Sequence, residues 1–303
     1  MHEPEPHTFH ALGSECVLHL FGAPLELAAA AEAEVRRIEA RYSRYRPDSV
    51  LSAINAAAAQ GGELELDEET AALIDYAYAV HRKSHGLFDI TTGILRRAFD
   101  FRSGTLPDPA RVEELRSRIG LDKLCWERPW LSFPVPGLEL DLGGIGKEYA
   151  ADRAAGICAE AGLEHGLVDL GGDLRAIGPR PDGAAWSIRL RHPTRPGEAF
   201  AALSLRQGGL ATSGDYERCI WKDGRRYGHI LDPRTGWPVR GLASVSVIAD
   251  SCLLAGSFAT SALLMGDAGP EWLRQLGVAA VWMDESGQSG STLAPAASSR
   301  HST

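Results

Sequence analysis

Two hydrophobic periods alternate along this chain, one of two residues and one near 3.6, and together they predict strands interleaved with amphipathic helices. Residues 14–22 read as a strand, with Cys16, Leu18 and Leu20 on one face and Val17, His19 and Phe21 on the other; both faces are largely apolar, which predicts an inner strand. Leu27, Ala31, Val35, Ile38 and Tyr42 recur at helical spacing and predict a helix over 25–42. Helices are also expected at 50–59 and 68–85, the latter closed by Gly86 in the manner of a C-cap. Residues 103–137 alternate proline-bearing turns with one short helix at 109–119 and read as a peripheral excursion.

The apolar run Leu138, Leu140, Leu142 predicts a strand that turns into an Ala-rich helix over 147–161, ended by Gly162. A strand at 166–170 meets the glycine turn Gly171-Gly172-Asp173, and 186–192 with 199–205 alternate cleanly enough to predict a hairpin. Residues 243–249 and 278–283 read as strands on either side of a helix at 251–265, which is apolar nearly all round and so should be buried. One domain is expected over 8–285, which could divide into two lobes. The Ser, Gly, Ala and Pro of 286–303 predict a disordered tail.

Composition narrows the function class. A chain of 303 residues with 44% hydrophobic and 23% charged positions can bury a sizeable core. Its net charge of −9 and the lack of a basic stripe argue against a nucleic-acid partner. The five cysteines are scattered and never spaced Cys-x-x-Cys, so reduced thiols are expected rather than disulfides or a zinc site. No basic and apolar leader opens the sequence, and no run is expected to span a membrane, so the expected location is the cytoplasm.

The most suggestive stretch is Asp141-Leu142-Gly143-Gly144-Ile145-Gly146-Lys147. Glycines at a turn before a helix bring a ligand near the backbone, and the free N–H groups and dipole of that helix, with Lys147 beside them, suit a phosphate. A tight turn with a surface lysine would read the same way. The spacing fits neither a Walker A loop nor a dinucleotide fingerprint. His229 lies three residues before Asp232, with Pro233 and Arg234 following. A histidine can take a proton from a hydroxyl while a carboxylate orients it, although Asp232 to Gly236 would also make a self-capped loop. Asp89 could equally be a turn cap, Tyr45 could pack on the first helix rather than stack on a ligand, and Thr260 could return its hydroxyl to its own helix.

Taken in order, Ala11-Leu12-Gly13-Ser14, Ser43-Arg44-Tyr45-Arg46-Pro47-Asp48-Ser49, Gly86-Leu87-Phe88-Asp89-Ile90-Thr91, the Asp141–Lys147 stretch, Asp169-Leu170-Gly171-Gly172-Asp173, Ser213-Gly214-Asp215-Tyr216 and His229-Ile230-Leu231-Asp232-Pro233-Arg234-Thr235-Gly236 resemble the ApbE family of FAD:protein FMN transferases, from about residue 8 to residue 283. The resemblance implies an α+β fold related to the T-fold, with a mixed sheet, flanking helices and an FAD cleft between two lobes. It implies Mg²⁺-dependent transfer of FMN from FAD to a threonine hydroxyl of an acceptor flavoprotein through a phosphoester, with release of AMP. By motif, Leu12, Tyr45, Leu87, Phe88, Asp89, Asp141, Lys147 and Ile230 would line the FAD site. Gly144 would give its carbonyl and Thr260 its hydroxyl to the metal, and His229, helped by Asp232, would be the base.

The chain departs from the family pattern at three points. Leu12-Gly13-Ser14 stands where Met-Gly-Thr is usual, and the export signal or lipid anchor common in the family is not seen. The usual Ala-Asp-x-x-Ala-Thr reads Ala255-Gly256-Ser257-Phe258-Ala259-Thr260, so the carboxylate expected one helical turn before Thr260 is replaced by glycine. A cation could still be held by phosphates, Thr260, the Gly144 carbonyl and one of Asp141, Asp173 or Asp250. The alternative is a paralogue that binds FAD and hydrolyses its pyrophosphate, or performs no catalysis. On the sequence alone, Gly256→Asp is expected to tighten Mg²⁺ dependence and raise turnover.

Overall fold

A computed structural model describes residues 5–215 and 218–293. In chain order, β1 (His7–Ala11) and β2 (Ser14–Leu20) lead through α1 (Leu25–Tyr42), α2 (Val50–Gln60), β3 (Glu63–Glu65) and α3 (Glu68–Lys83) to a 3₁₀ segment at Ile90–Arg97. After them come α4 (Pro109–Arg116), β4 (Cys125–Glu127), β5 (Trp130–Ser132), α5 (Gly146–Glu160), β6 (Gly166–Leu170) and β7 (Asp173–Gly178). The chain continues with β8 (Trp186–Arg191), β9 (Ala199–Leu205), β10 (Gly208–Gly214), β11 (Cys219–Lys222), β12 (Arg225–Gly228) and β13 (Leu242–Ala249). It closes with α6 (Cys252–Met265), α7 (Gly269–Leu276), β14 (Ala279–Asp284) and β15 (Ser289–Ser291).

Eight strands form one sheet in the order β1-β2-β6-β7-β10-β13-β14-β15. The fold is α+β, but the sheet is not mixed, since each of these neighbouring pairs is antiparallel. β2 is an inner strand, and its two apolar faces have separate uses. Cys16, Leu18 and Leu20 join the main core under α1, α5 and α6, whereas His19 and Phe21 meet the ring of Trp186 from the β8–β9 hairpin on the opposite side. That hairpin packs Leu190, Leu203 and Leu205 against Leu167, Leu174 and Leu210 of the sheet. The result is three layers: helices, sheet and hairpin.

Small residues let the helices approach one another. Ala150, Ala151, Ala154 and Ala155 of α5 and Ala255, Gly256 and Ala259 of α6 are buried. The N-terminus of α6 is tied to α5: Asp152 accepts from the N–H groups of Cys252 and Leu253, both at 2.9 Å, while Ser251 accepts from Leu254 at 3.1 Å. These bonds satisfy donors that a helix cannot pair internally.

The structure differs from the sequence expectations in several places. Residues 138–142 belong to no strand, because their backbone is paired by the Ile90 carbonyl, which accepts from the Asp141 N–H at 2.8 Å, and by a side chain. The Asn55 amide donates to the Leu140 carbonyl at 3.0 Å and accepts its N–H at 2.7 Å, as a partner backbone would. Residues 286–293, expected in the tail, include β15, which pairs with β14 at the sheet edge; 294–303 lie outside the described residues. By length and composition, the continuous helical stretch Cys252–Leu276 could cross a membrane, contrary to expectation. In the fold its first part, α6, is packed against β10 and β13.

Candidate functional site

Residues 87–93, the turn at 141–144, the loop at 229–231 and the face of α6 carrying Thr260 and Leu264 meet at one cleft. Its cavity volume of about 120 Å³ is smaller than a usual ligand pocket of ~300–1,000 Å³, so a dinucleotide would enter it only in part.

One wall follows the end of α3, where His85 and Gly86 take φ values of 56° and 84° and reverse the chain. Leu87 and Phe88 are thereby buried, and Phe88 faces the Gly144 turn. Asp89 is also buried, but its carboxylate is committed to local bonds. It accepts from the N–H and Oγ1 of Thr91 at 2.8 and 2.6 Å and from the N–H of Leu121 at 3.2 Å. The turn-cap reading therefore describes what this side chain does.

The turn at 141–144 is held by charge. Asp141 Oδ1 accepts from the Gly143 N–H at 2.8 Å, and Oδ2 lies 2.7 Å from Arg44 Nη1 and 3.1 Å from Arg96 Nε. Arg44 also pairs with Glu139, which Arg97 contacts at 2.7 Å. The turn needs glycines for close approach rather than for positive φ. A Cβ at Gly143 would sit 2.9 Å from Asp141 Oδ1, and one at Gly144 would sit 3.3 Å from Phe88 Cζ. α5 begins directly after this turn with no side-chain cap at Ile145, so its positive end faces the turn. Lys147 is turned towards β7, its Nζ 3.5 Å from Asp173 Oδ2.

His229 and Ile230 line the opposite wall, where the imidazole meets Phe101 edge-on with centroids 6.5 Å apart. The approach to His229 is fixed by Gly228, where a Cβ would lie 2.6 Å from that of Asp215. Asp215 is itself clamped by Arg226 at 2.7 and 3.1 Å. Thr260 does not return its hydroxyl to its own helix; its Oγ1 is 2.7 Å from Ser213 Oγ on β10.

Several residues chosen from the sequence are not brought to this cleft. Asp232 is buried, and its carboxylate binds the backbone N–H of Arg234 at 2.8 Å and the guanidinium of the same residue at 2.7 Å. It closes its own loop, a role that short polar side chains often take before a turn. Tyr45 is 80% exposed, and Arg44 beside it is the residue that points inward. Leu12 sits at φ 54° in the β1–β2 turn and donates its N–H to Glu39 at 2.6 Å. Tyr216 lies outside the described residues.

One buried acid escaped the sequence analysis. Glu148 is only 8% exposed, and its Oε2 has no hydrogen-bond partner among the described residues. Burial and the nearby Asp173 carboxylate push its pKa well above the usual carboxylate range. Its Oε1 lies 2.5 Å from where a Cβ on Gly256 would be. A signal was present: Glu148 stands at helical spacing with Ala151 and Ala155, on the apolar face of α5. Of the three acids considered for a cation, Asp141 is held by arginines, Asp250 is exposed, and Asp173 is buried. Among the described residues no three acids, histidines or cysteines gather into a metal cage. A cation here would share its coordination with phosphates, as Mg²⁺ commonly does.

A sequence model described as the ApbE family matches residues 12–282. A protein from Haemophilus influenzae named FAD:protein FMN transferase is 29% identical over 78% of this chain and 71% of its own length. A relative of the same name from Rhodobacter capsulatus is 32% identical over 90% of this chain, which spans 54% of that longer protein. The crystal structure of the ApbE protein from Thermotoga maritima superposes with a TM-score of 0.84 at 31% identity, covering 94% of this chain and 96% of that one.

Proposed function

The chain belongs to the ApbE family, and on that premise we propose that it transfers the FMN moiety of FAD to a threonine hydroxyl of an acceptor flavoprotein, releasing AMP. The observation that carries the reading is that His229 lines the same cleft as the Gly143–Gly144 turn and Thr260. A histidine and the turn that opens α5 thus share one cleft.

In the step itself, the acceptor oxygen attacks the phosphorus on the FMN side of the pyrophosphate. A new P–O bond forms, the bridging P–O bond breaks, and AMP departs with the bridging oxygen. The hydroxyl proton passes to the His229 imidazole, since an alcohol is too weakly acidic to ionise unaided. Phosphoryl transfer depends mainly on positioning and charge neutralisation, and the start of α5 supplies a positive dipole beside the turn. Leu87, Phe88 and Ile230 give the cleft apolar walls suited to a flat ring. Lys147, expected at the FAD site, is not among the residues lining this cleft, and its Nζ pairs with Asp173.

The oxygen donors present fit a hard cation such as Mg²⁺, which would neutralise pyrophosphate charge when bound. The Thr260 hydroxyl, the Gly144 carbonyl and a buried carboxylate would hold it.

Incubation with FAD, Mg²⁺ and a threonine-bearing acceptor tests the proposal. Covalently flavinylated acceptor with AMP supports transfer. Free FMN with AMP indicates a pyrophosphatase, and intact bound FAD indicates a carrier. His229→Ala should abolish flavinylation while leaving FAD affinity nearly unchanged, and an unchanged rate would remove His229 as the base.

A further inference from the structure

Building on the reading that a divalent cation joins the phosphates in this cleft, we propose that Glu148 is the carboxylate that binds it, delivered from α5 to the face of α6 that carries Thr260.

Gly256 and Thr260 are one helical turn apart and share a face of α6. A side chain at Gly256 would be the natural neighbour of the Thr260 hydroxyl, but that place is taken. A Cβ there would lie 2.5 Å from Glu148 Oε1, 2.6 Å from its Cγ and 2.9 Å from its Cδ. The glycine therefore provides the opening through which a carboxylate on the neighbouring helix reaches the same spot.

The second observation is independent of that spacing. Glu148 is 8% exposed, yet its Oε2 lacks a hydrogen-bond donor among the described residues. A buried carboxylate oxygen with no partner is costly and calls for an explanation. The surrounding groups do not supply one. Asp152 and Asp173 are acids, Lys147 is drawn to Asp173, and the Tyr76 hydroxyl is used on the Leu253 carbonyl and Ser257. A cation beside Thr260 would satisfy this oxygen. Glu148 stands in the first turn of α5, which begins two residues after Gly144, the other proposed oxygen donor.

The test uses Mn²⁺ as the probe, titrated into the full chain with FAD bound and no acceptor, and followed by electron paramagnetic resonance. Glu148→Gln is expected to weaken Mn²⁺ binding by about tenfold or more while metal-free FAD affinity and far-UV circular dichroism stay unchanged. Its thermal midpoint should hold or rise, because an amide replaces an uncompensated buried acid. In Glu148→Gly/Gly256→Asp the carboxylate comes from α6 instead, and Mn²⁺ affinity should return to within a few-fold of wild type. Equal Mn²⁺ affinity in wild type and Glu148→Gln overturns the assignment alone. A wild-type protein that binds FAD but takes up no Mn²⁺ overturns the cation reading and this assignment with it. Should the amide variant not fold, Glu148→Asp decides: it keeps the charge but shortens the reach, so weaker binding supports the assignment and unchanged binding overturns it.

Discussion

Replacing Gly256 by aspartate restores the family's usual residue, yet this structure predicts that the change is harmful when made alone. Three atoms of Glu148 lie within 2.9 Å of the new Cβ, closer than real contacts allow. They belong to a side chain, which could swing aside if it were on the surface. At 8% exposure Glu148 cannot do so without displacing packed neighbours. Overpacking of this kind costs about 1–3 kcal/mol, and a second carboxylate pressed against the first adds more, while relief from glycine in a helix returns only a few tenths. The net destabilisation of Gly256→Asp is expected at about 2–5 kcal/mol, or a fall in thermal midpoint of roughly 3–8 °C for a chain of this size. Gly256→Ala should fall less, since it gains close to 1 kcal/mol of helix propensity and carries no charge. Thermal unfolding of the two variants and of Glu148→Gly/Gly256→Asp measures this. The double variant should recover most of the loss, because removing the Glu148 side chain clears the space. A Gly256→Asp protein as stable as wild type would refute the reasoning, because Glu148 would then not be a fixed wedge.

Asp232→Asn should lower stability by about 1 kcal/mol through loss of the charged pair with Arg234 and change turnover by less than about threefold; a loss of transfer at unchanged stability would return Asp232 to the reaction. Arg44→Met should cost about 1–3 kcal/mol in urea unfolding, less than a fully orphaned buried pair, because Arg96 and Arg97 still reach Asp141 and Glu139; it should also weaken FAD binding by loosening the turn. Hydrogen bonds from Arg37 and Arg153 hold the Glu34 pKa down at about 2, against an ordinary 4.5. The folded value is depressed, so this contribution is complete above pH 4.5 and is lost as pH falls towards 2. Because Arg37 and Arg153 are 41% and 49% exposed, the contribution is discounted for solvent screening to about 1 kcal/mol. Glu34→Gln should be less stable than wild type by that amount at pH 7, and the two unfolding midpoints should converge as the pH is lowered through this window.

What the sequence made legible follows from how local each cause is. α1 is formed over the predicted residues because Val35, Ile38 and their helical neighbours carry its burial pattern within the segment itself. The α5 turn and the His229 loop could be located for the same reason. β10 is missing from the sequence expectations, and it opens on Gly208 and Gly209. Gly208 takes φ 82° as well as a close approach, since a Cβ there would lie 2.3 Å from the Ala249 carbonyl oxygen, whereas at Gly209 contact alone decides: a Cβ would lie 2.2 Å from the Cys252 nitrogen at the start of α6. Glycine marks close approach as readily as reversal, and only the tertiary partner tells the two apart. Gly256 repeats this at the site. In the sequence it reads as a missing ligand, since the comparison there is with the residue usual at that position. In three dimensions the carboxylate is present but belongs to α5, more than a hundred positions earlier in the chain. A motif records which residue sits at a position, whereas coordination depends on which atoms reach a point in space. Two helices packed through small residues can exchange that task between them, and Glu148 with Gly256 has the geometry of such an exchange.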